Sequence, residues 1–369
     1  MKNKYYSLKR ILSYDADYNV IIGPRSNGKT YACLEHFIKE YCQKGNEFAI
    51  IRRWADDFKG KRGKMMFASL EDNSVIQRYT NGQWSNVVFQ SMQFWFGKYL
   101  DGKLVTSDKP IGYAFAISQM EHDKSTSYPR VNNILFDEFM TRSEYGYLNN
   151  EFVMFMNTLS TIMRERGEAS NVKIFLCGNT VNFTCPYFNE LGLTNVKRMK
   201  PGAIDLYEYG DSGLRLAVEY TEPFKGESTS NKFFAFNNPR LKMITGSENG
   251  SWEIDIYPHL PNKYKPNEVI FTYFVLFDGV TIQAEVIQQK NQIFTYMHRK
   301  TTELRNPDAD IIFSTEYDSR PNWNRNILHP QPESIRAVMN KTFNPDKIFY
   351  QDNELGEYMR NYLIWCRKN

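Results

Sequence analysis

At 369 residues the chain is long enough for two domains of ordinary size, and 41% hydrophobic with 24% charged residues exclude a polymer that is disordered over long stretches. Forty-six Lys and Arg against 42 Asp and Glu leave a net charge of +4, too small for a whole-chain polycation, so any nucleic-acid surface must be local. Five cysteines without a CxxC pair and five scattered histidines argue against a disulfide framework, a zinc site or a histidine metal centre.

In chain order, residues 18–22 (YNVII) read as a short buried strand that breaks off at Gly23-Pro24. Leu34, Phe37, Ile38 and Tyr41 then recur at helical spacing, and Gly45 closes that helix. A second apolar strand at 48–51 leads into Arg52-Arg53, so a parallel strand–helix–strand unit is the economical reading. Between 74 and 118 the pattern becomes that of an antiparallel insert, with Asn81-Gly82 and Asp101-Gly102 as hairpin turns. Buried-type strands return at 133–136 and 172–177, separated by a helix over 151–163.

The stretch 222–250 is polar and rich in turn residues, and places a linker at 223–240 between a first domain (1–222) and a second (241–369). The second is expected to hold a strand at 251–257, a hairpin over 269–287 turning at Asp278-Gly279, a strand at 310–314, and helices near 333–340 and 353–367. Its longest apolar run, 269–277, falls far short of the roughly 20 residues that cross a bilayer. The N-terminus lacks the pattern of a secretory signal, so the expected location is the cytosol.

Chemistry concentrates in the first half. Gly23-Pro24-Arg25-Ser26-Asn27-Gly28-Lys29-Thr30 matches G-x-x-x-x-G-K-[ST] between a strand and a helix. Such a loop turns successive N–H groups and a helix N-terminus toward phosphate, with Lys29 near the β- and γ-phosphates and Thr30 offering a hydroxyl to Mg²⁺. Asp137 and Glu138 end the strand at 133–136. Asp137 suits the metal, and Glu138 suits the attacking water, which favours a hydrolase over a kinase.

Asn179 ends the next strand beside the expected γ-phosphate, and reads either as a sensor of that phosphate or as a strand-end turn residue. Arg164 and Arg166 end a helix, where they are either solvated or one of them is an arginine finger. Lys124 is a second candidate for reaching a neighbour's nucleotide. Arg25 faces the γ-phosphate or Glu138, or else solvent, and Arg52 and Arg53 serve the same edge or form surface salt bridges. Lys59, Lys61, Arg62 and Lys64 surround Gly60 and Gly63, as suits either a flexible loop that follows DNA phosphates without reading bases or a solvated charge run.

These residues resemble, in order and spacing, the DNA-packaging ATPases of phi29-like phages, small relatives of the large terminases. The resemblance runs through Leu12-Ser13-Tyr14-Asp15, the glycine loop, Ile51-Arg52-Arg53, Lys124-Ser125 with Tyr128-Pro129, the 134–139 and 162–166 segments, and Pro186-Tyr187-Phe188. It covers about the first 200 residues. It implies an α/β chain: a P-loop ATPase domain of the ASCE (RecA/FtsK-like) class with a mainly parallel sheet, then a smaller ribonuclease H-like domain that has lost its nuclease. It further implies ATP and Mg²⁺ as cofactors and double-stranded DNA as substrate. Partners would be a ring of like subunits, pentameric in the family, and a procapsid portal, with a packaging RNA as a further candidate, all in the host cytoplasm.

Carried over by position, Lys29 and Thr30 bind phosphate and metal, Asp137 and Glu138 are the metal-binding and catalytic acids, and Arg164 is the finger acting on a neighbour, which Lys124 would also face. Tyr14 is the candidate for the adenine base. Asp278, Glu285 and Asp352 read as remnants of a nuclease site or as ordinary turn and surface acids. Two other functions fit the same motifs: a helicase- or recombinase-like ATPase, distinguished by strand separation, and a nucleotide-gated scaffold, distinguished by assembly without turnover.

Overall fold

The computed structural model describes residues 5–122, 127–142, 146–164, 171–223, 252, 254–290 and 292–369. The chain divides into two compact units, one comprising Met1–Asn237 with Ile244–Trp252 and the other Asn238–Met243 with Glu253–Asn369. Apart from Pro223, the expected linker at 223–240 lies outside the described residues.

The first unit is built on one mixed sheet. Its strands are β1 (Tyr18–Gly23), β2 (Glu47–Arg52), β3 (Asn86–Gln90), β4 (Gln93–Leu100), β5 (Lys103–Thr106), β6 (Gly112–Ala116), β7 (Val131–Asp137), β8 (Lys173–Asn179), β9 (Ile204–Tyr209) and β10 (Leu214–Tyr220). They lie in the order β3-β4-β6-β2-β7-β8-β1-β10-β9, with β5 paired to β4. From β6 to β10 every neighbour is parallel, while β3, β4, β5 and β9 are antiparallel additions at the edges.

The helices of this unit are α1 (Lys9–Leu12), α2 (Lys29–Lys44), α3 (Lys61–Lys64), α4 (Ala68–Asp72), α5 (Val75–Tyr79), α6 (Glu151–Ile162) and α7 (Pro186–Glu190). Central parallel strands covered on both faces are apolar without interruption, as β1 shows with all six residues buried. Alternate residues serve opposite faces. Val20, Ile51, Phe136 and Leu176 pack with Phe155 and Leu159 of α6, while Ile21, Ile50, Leu135 and Phe175 pack with Leu34, Phe37 and Ile38 of α2.

The expected parallel strand–helix–strand unit is present, with β7 and β8 lying between β1 and β2; a crossover helix sets the handedness of a connection but not how many strands it skips. Two expectations are corrected. Asn81-Gly82 terminates α5, with Gly82 N–H on the Gln77 carbonyl at 2.8 Å, and the β3–β4 hairpin turns instead at Ser91-Met92 (φ 50° and 59°). Left-handed backbone serves helix ends and tight hairpins alike, so the dipeptide does not choose between them. Asp101-Gly102 does turn the β4–β5 hairpin.

The second correction concerns the strand expected at 251–257. Its described residues, 252 and 254–257, form no strand. The Tyr257 N–H is taken by the Asn353 side chain, not by a neighbouring backbone.

The second unit holds β11 (Val269–Phe277), β12 (Val280–Gln289), β13 (Gln292–Arg299), β14 (Ile312–Ser314), β15 (Trp323–Asn324) and β16 (Ile348–Tyr350), ordered β15-β14-β11-β12-β13-β16. Consecutive β11, β12 and β13 are antiparallel, and β14, β15 and β16 join in parallel. Helices α8 (Glu333–Thr342) and α9 (Asn353–Lys368) complete it. Asp278-Gly279 turns β11 into β12 with both residues left-handed, as its sequence predicts. Among the described residues no helix is long and apolar enough to cross a membrane.

Candidate active site

Parallel strands deliver their C-terminal ends to one edge of a sheet, where ligands of open α/β folds gather. Here β1 ends in the glycine loop, β2 in Arg52 and Arg53, β7 in Asp137 and Glu138, and β8 in Asn179. Gly28 caps α2 in a left-handed conformation (φ 95°) and turns the loop into the helix. The Lys29 ammonium curls back into the loop, donating to the carbonyls of Pro24 (2.7 Å) and Gly23 (3.2 Å) and to Oδ1 of Asn27 (3.1 Å) and Asn179 (3.2 Å). Burial pushes its pKa down to about 8, against an opposing pull from Asp137.

The Thr30 hydroxyl donates to Asp137 Oδ1 at 2.9 Å, so the two residues expected to share a metal already meet. Asp137 is buried, whereas the Glu138 side chain is 63% exposed and its backbone is left-handed (φ 58°). Arg52 spans both acids, at 2.5 Å from Asp137 and 2.6 Å from Glu138, and its buried Nε finds no partner among the described residues.

Arg53 is buried beneath this edge. It makes a two-pronged ion pair with Glu151 at the start of α6 (2.7 and 2.9 Å), donates to the Phe139 carbonyl at 2.7 Å, and lies over the Tyr147 ring. Tyr187 donates its hydroxyl to the same Glu151 at 3.0 Å. Sequence reasoning left both arginines open to a surface role; Arg53 forms a buried pair, and Arg52, itself mostly buried, pairs with the buried Asp137 and the exposed Glu138. The Glu151–Tyr187 part of the network was missed, since nothing local to Glu151 distinguishes it from any acid at a helix start.

A cleft of about 350 Å³ is lined by residues 25–31, Asp137, Glu138, Gly178 and Asn179. A second, of about 390 Å³, shares Arg25, Asp137, Glu138 and Asn179 and is otherwise lined by residues such as Arg52, Trp54 and Arg142. Cys33 and Cys177 approach to 3.6 Å behind the loop, and burial pushes the Cys33 thiol well up, so it is an inert packing group. Tyr14 lines neither cleft; Tyr31 lines the first.

Other expected residues lie elsewhere. Arg164 is exposed in the turn after α6 and lines neither cleft. The helix separates it by about 17 Å of axial rise from Glu151. Lys124 and Arg166 lie outside the described residues.

The basic stretch 59–64 is not a flexible glycine loop. Lys61–Lys64 is a helical turn in which Gly63 is buried, and a side chain there would come within 2.5 Å of the Phe58 carbonyl and the Phe89 ring. Lys59 pairs with Asp56 at 2.6 Å and Arg62 with Asp57 at 3.8 Å, while Lys61 and Lys64 are exposed.

The three C-terminal acids do not converge as one site. Asp278 sits in the hairpin turn, about 17 Å of strand rise from Glu285 on β12. Glu285 accepts from Tyr264 and from Gln283 and faces His298 at 3.4 Å. Asp352 caps α9 and pairs with Arg299.

A model of the podovirus DNA encapsidation protein (Gp16) family matches residues 1–208. The DNA packaging protein of Bacillus phage B103 is 31% identical over 246 residues, 66% of this chain and 65% of that protein. Its counterpart in Bacillus phage phi29 is 27% identical over 288 residues, 76% and 75% of the two chains. Among solved structures, the phi29 viral genome packaging motor assembly superposes with a TM-score of 0.54 at 20% identity, over 98% of this chain and 100% of that one. The Phi-28 gp11 DNA packaging motor gives 0.53 at 17% identity over 99% of each. At such identities the structural likeness speaks to fold.

Proposed function

This chain belongs to the podovirus DNA encapsidation protein family, the packaging ATPases of phi29-like phages, and on that premise we propose that it hydrolyses ATP to drive double-stranded DNA into a procapsid. The observation that carries the reading is the meeting of Lys29, Thr30, Asp137, Glu138 and Asn179, from three strand ends, around one cleft.

The residues present fit a magnesium nucleotide. Gly23 to Gly28 supply a loop for phosphate, Lys29 a cation, and Thr30 with the buried Asp137 two oxygens already 2.9 Å apart for the metal. The metal would draw charge off the phosphates. Glu138, exposed to the cleft, orients a water and takes its proton. Arg52 occupies one oxygen of each acid, Oδ2 of Asp137 and Oε2 of Glu138, which leaves Asp137 Oδ1 beside Thr30 and the second oxygen of Glu138 for that work. Asn179, already bonded to Lys29, is suited to report on the γ-phosphate.

Arg164 does not reach its own cleft, which supports its action on a neighbouring subunit in a ring, with stabilisation of phosphoryl charge on the order of 10³–10⁵ in rate. The position of β8 between β1 and β7 supports the ASCE reading of the first domain. Three antiparallel strands followed by β14 in parallel on the first of them and β15 in parallel on β14 support a ribonuclease H-like second domain. That β11 carries no carboxylate supports a domain that binds nucleic acid without cutting it. Phosphate contacts to DNA from the 59–64 stretch would come from Lys59, Lys61, Arg62 and Lys64, all exposed, the surface pairs to Asp56 and Asp57 being weak.

The test is direct. Lys29→Ala loses ATP binding, and Glu138→Gln binds ATP without hydrolysing it; both fail to protect genomic DNA from nuclease when mixed with matching procapsids and ATP. Turnover by Glu138→Gln near the parent's would overturn the assignment. Assembly with negligible turnover by the parent would favour a scaffold, and strand separation would favour a helicase.

A further inference from the structure

Lys29 has four oxygens within 3.2 Å for the three N–H donors of an ammonium, so it is not committed to all of them. One of the four, Oδ1 of Asn27, is itself held from outside the loop. The Asn27 carboxamide donates through Nδ2 to Oγ1 of Thr221 at 2.5 Å. With its donor side occupied there, the amide must turn its oxygen toward Lys29. Asn27 and Thr221 are 2% and 1% exposed, so solvent replaces neither bond.

Thr221 directly follows β10, the parallel neighbour of β1, and its N–H donates to the Ile22 carbonyl at 2.8 Å. That bond sets the hydroxyl against the base of the loop. A side chain on Gly23 would come within 1.9 Å of Thr221 Oγ1, so the first glycine of the loop is required by Thr221 as well as by phosphate.

We propose that Thr221 is a positioning residue of the phosphate loop, holding Lys29 ready for nucleotide phosphate through the Asn27 amide. The proposal rests on the reading of Lys29 as the phosphate-binding lysine. It adds a residue that no part of the G-x-x-x-x-G-K-[ST] pattern specifies.

Thr221→Val keeps the branched shape but deprives the Asn27 amide of its acceptor; Thr221→Ser keeps the hydroxyl. Calorimetry with ATP and ADP, alongside steady-state turnover, should find the Thr221→Val dissociation constant and KM raised about tenfold, from one buried donor left unpaired, with kcat reduced less. Thr221→Ser should stay within about twofold of the parent in binding. Asn27→Ala should reproduce the Thr221→Val loss, and the double variant should be no worse than the worse single one, because both cut the same chain of bonds.

Should Thr221→Val melt early, Asn27→Ala carries the test against Asn27→Asp, which keeps an acceptor for Lys29 and can take a hydrogen bond from the Thr221 hydroxyl. Folded Thr221→Val or Asn27→Ala binding nucleotide like the parent, loss by Thr221→Ser equal to that by valine, or additive losses in the double variant would each overturn the proposal. Lys29→Ala separates the two readings. Undiminished nucleotide binding by that variant removes the site assignment itself, whereas its loss beside an unaffected Thr221→Val removes only the positioning role.

Discussion

Truncating Glu151 to alanine should destabilise the first unit strongly. Arg53 and Glu151 are a buried ion pair, their side chains 8% and 1% exposed. Two charges out of water are tolerable only together; removing one leaves the other uncompensated, at a cost of about 3–5 kcal/mol. The Tyr187 hydroxyl and the Leu148 N–H lose their acceptor as well, at 3.0 and 2.8 Å in the parent, which puts the effect toward the upper end of that range. For a unit of this size each kcal/mol moves the melting temperature by about 2–4 °C, so a fall of about 10 °C or more is expected.

Differential scanning calorimetry reads this in the transition that added nucleotide raises, which separates the first unit from the second. The double variant Arg53→Met/Glu151→Leu fills the same volume without charge and should recover the part of the loss that comes from the unpaired charge, while the Tyr187 hydroxyl and the Leu148 N–H stay without their acceptor. Glu151→Ala melting within about 2 °C of the parent, or a double variant as unstable as the two single changes summed, would refute the argument. The double variant should also turn over ATP slowly, because Arg53 holds the Phe139 carbonyl next to Glu138.

Mixing Arg164→Ala with Glu138→Gln protein should restore ATPase, since a mixed interface pairs an intact arginine with an intact glutamate; no gain under proven subunit exchange sinks the trans role. In the second unit, a hydrogen bond from His298, aided by Tyr264, holds the Glu285 carboxyl down at about 2 despite burial, and the same contact raises His298. The Glu285 contribution to stability is thus present above its ordinary 4.5 and lost as pH falls toward 2, and that of His298 is present below 6.5 and lost as pH rises through its elevated folded value. Proton NMR should find His298 titrating above 6.5 in the parent and lower in Glu285→Gln; identical titrations would contradict the pairing. Finally, the full chain with Mn²⁺ should leave supercoiled plasmid intact, and cleavage abolished by Asp278→Asn would reverse that expectation.

The glycine loop, the acid pair and the strands that carry them were legible because each is local. A buried parallel strand is a continuous apolar run, and a loop that wraps phosphate needs glycines and a lysine at fixed offsets from it. The Asp278-Gly279 and Asp101-Gly102 hairpins were legible for the same reason, since only a few residues tolerate left-handed backbone. Strand order was not local. Nothing in residues 18–51 says that β7 and β8 come between β1 and β2, because that depends on which faces the later helices cover. Lys59–Lys64 kept its charges but not its looseness, because Phe89, on a strand more than twenty residues later, buries Gly63. Arg53 became internal only when α6 brought Glu151 beneath it, 98 residues on, and Lys29 acquired its support from Thr221, which bonds Asn27 across 194 residues. Sequence determines what each residue can do within a few neighbours; which distant partner satisfies a buried charge or amide is decided only when the sheet has closed around it.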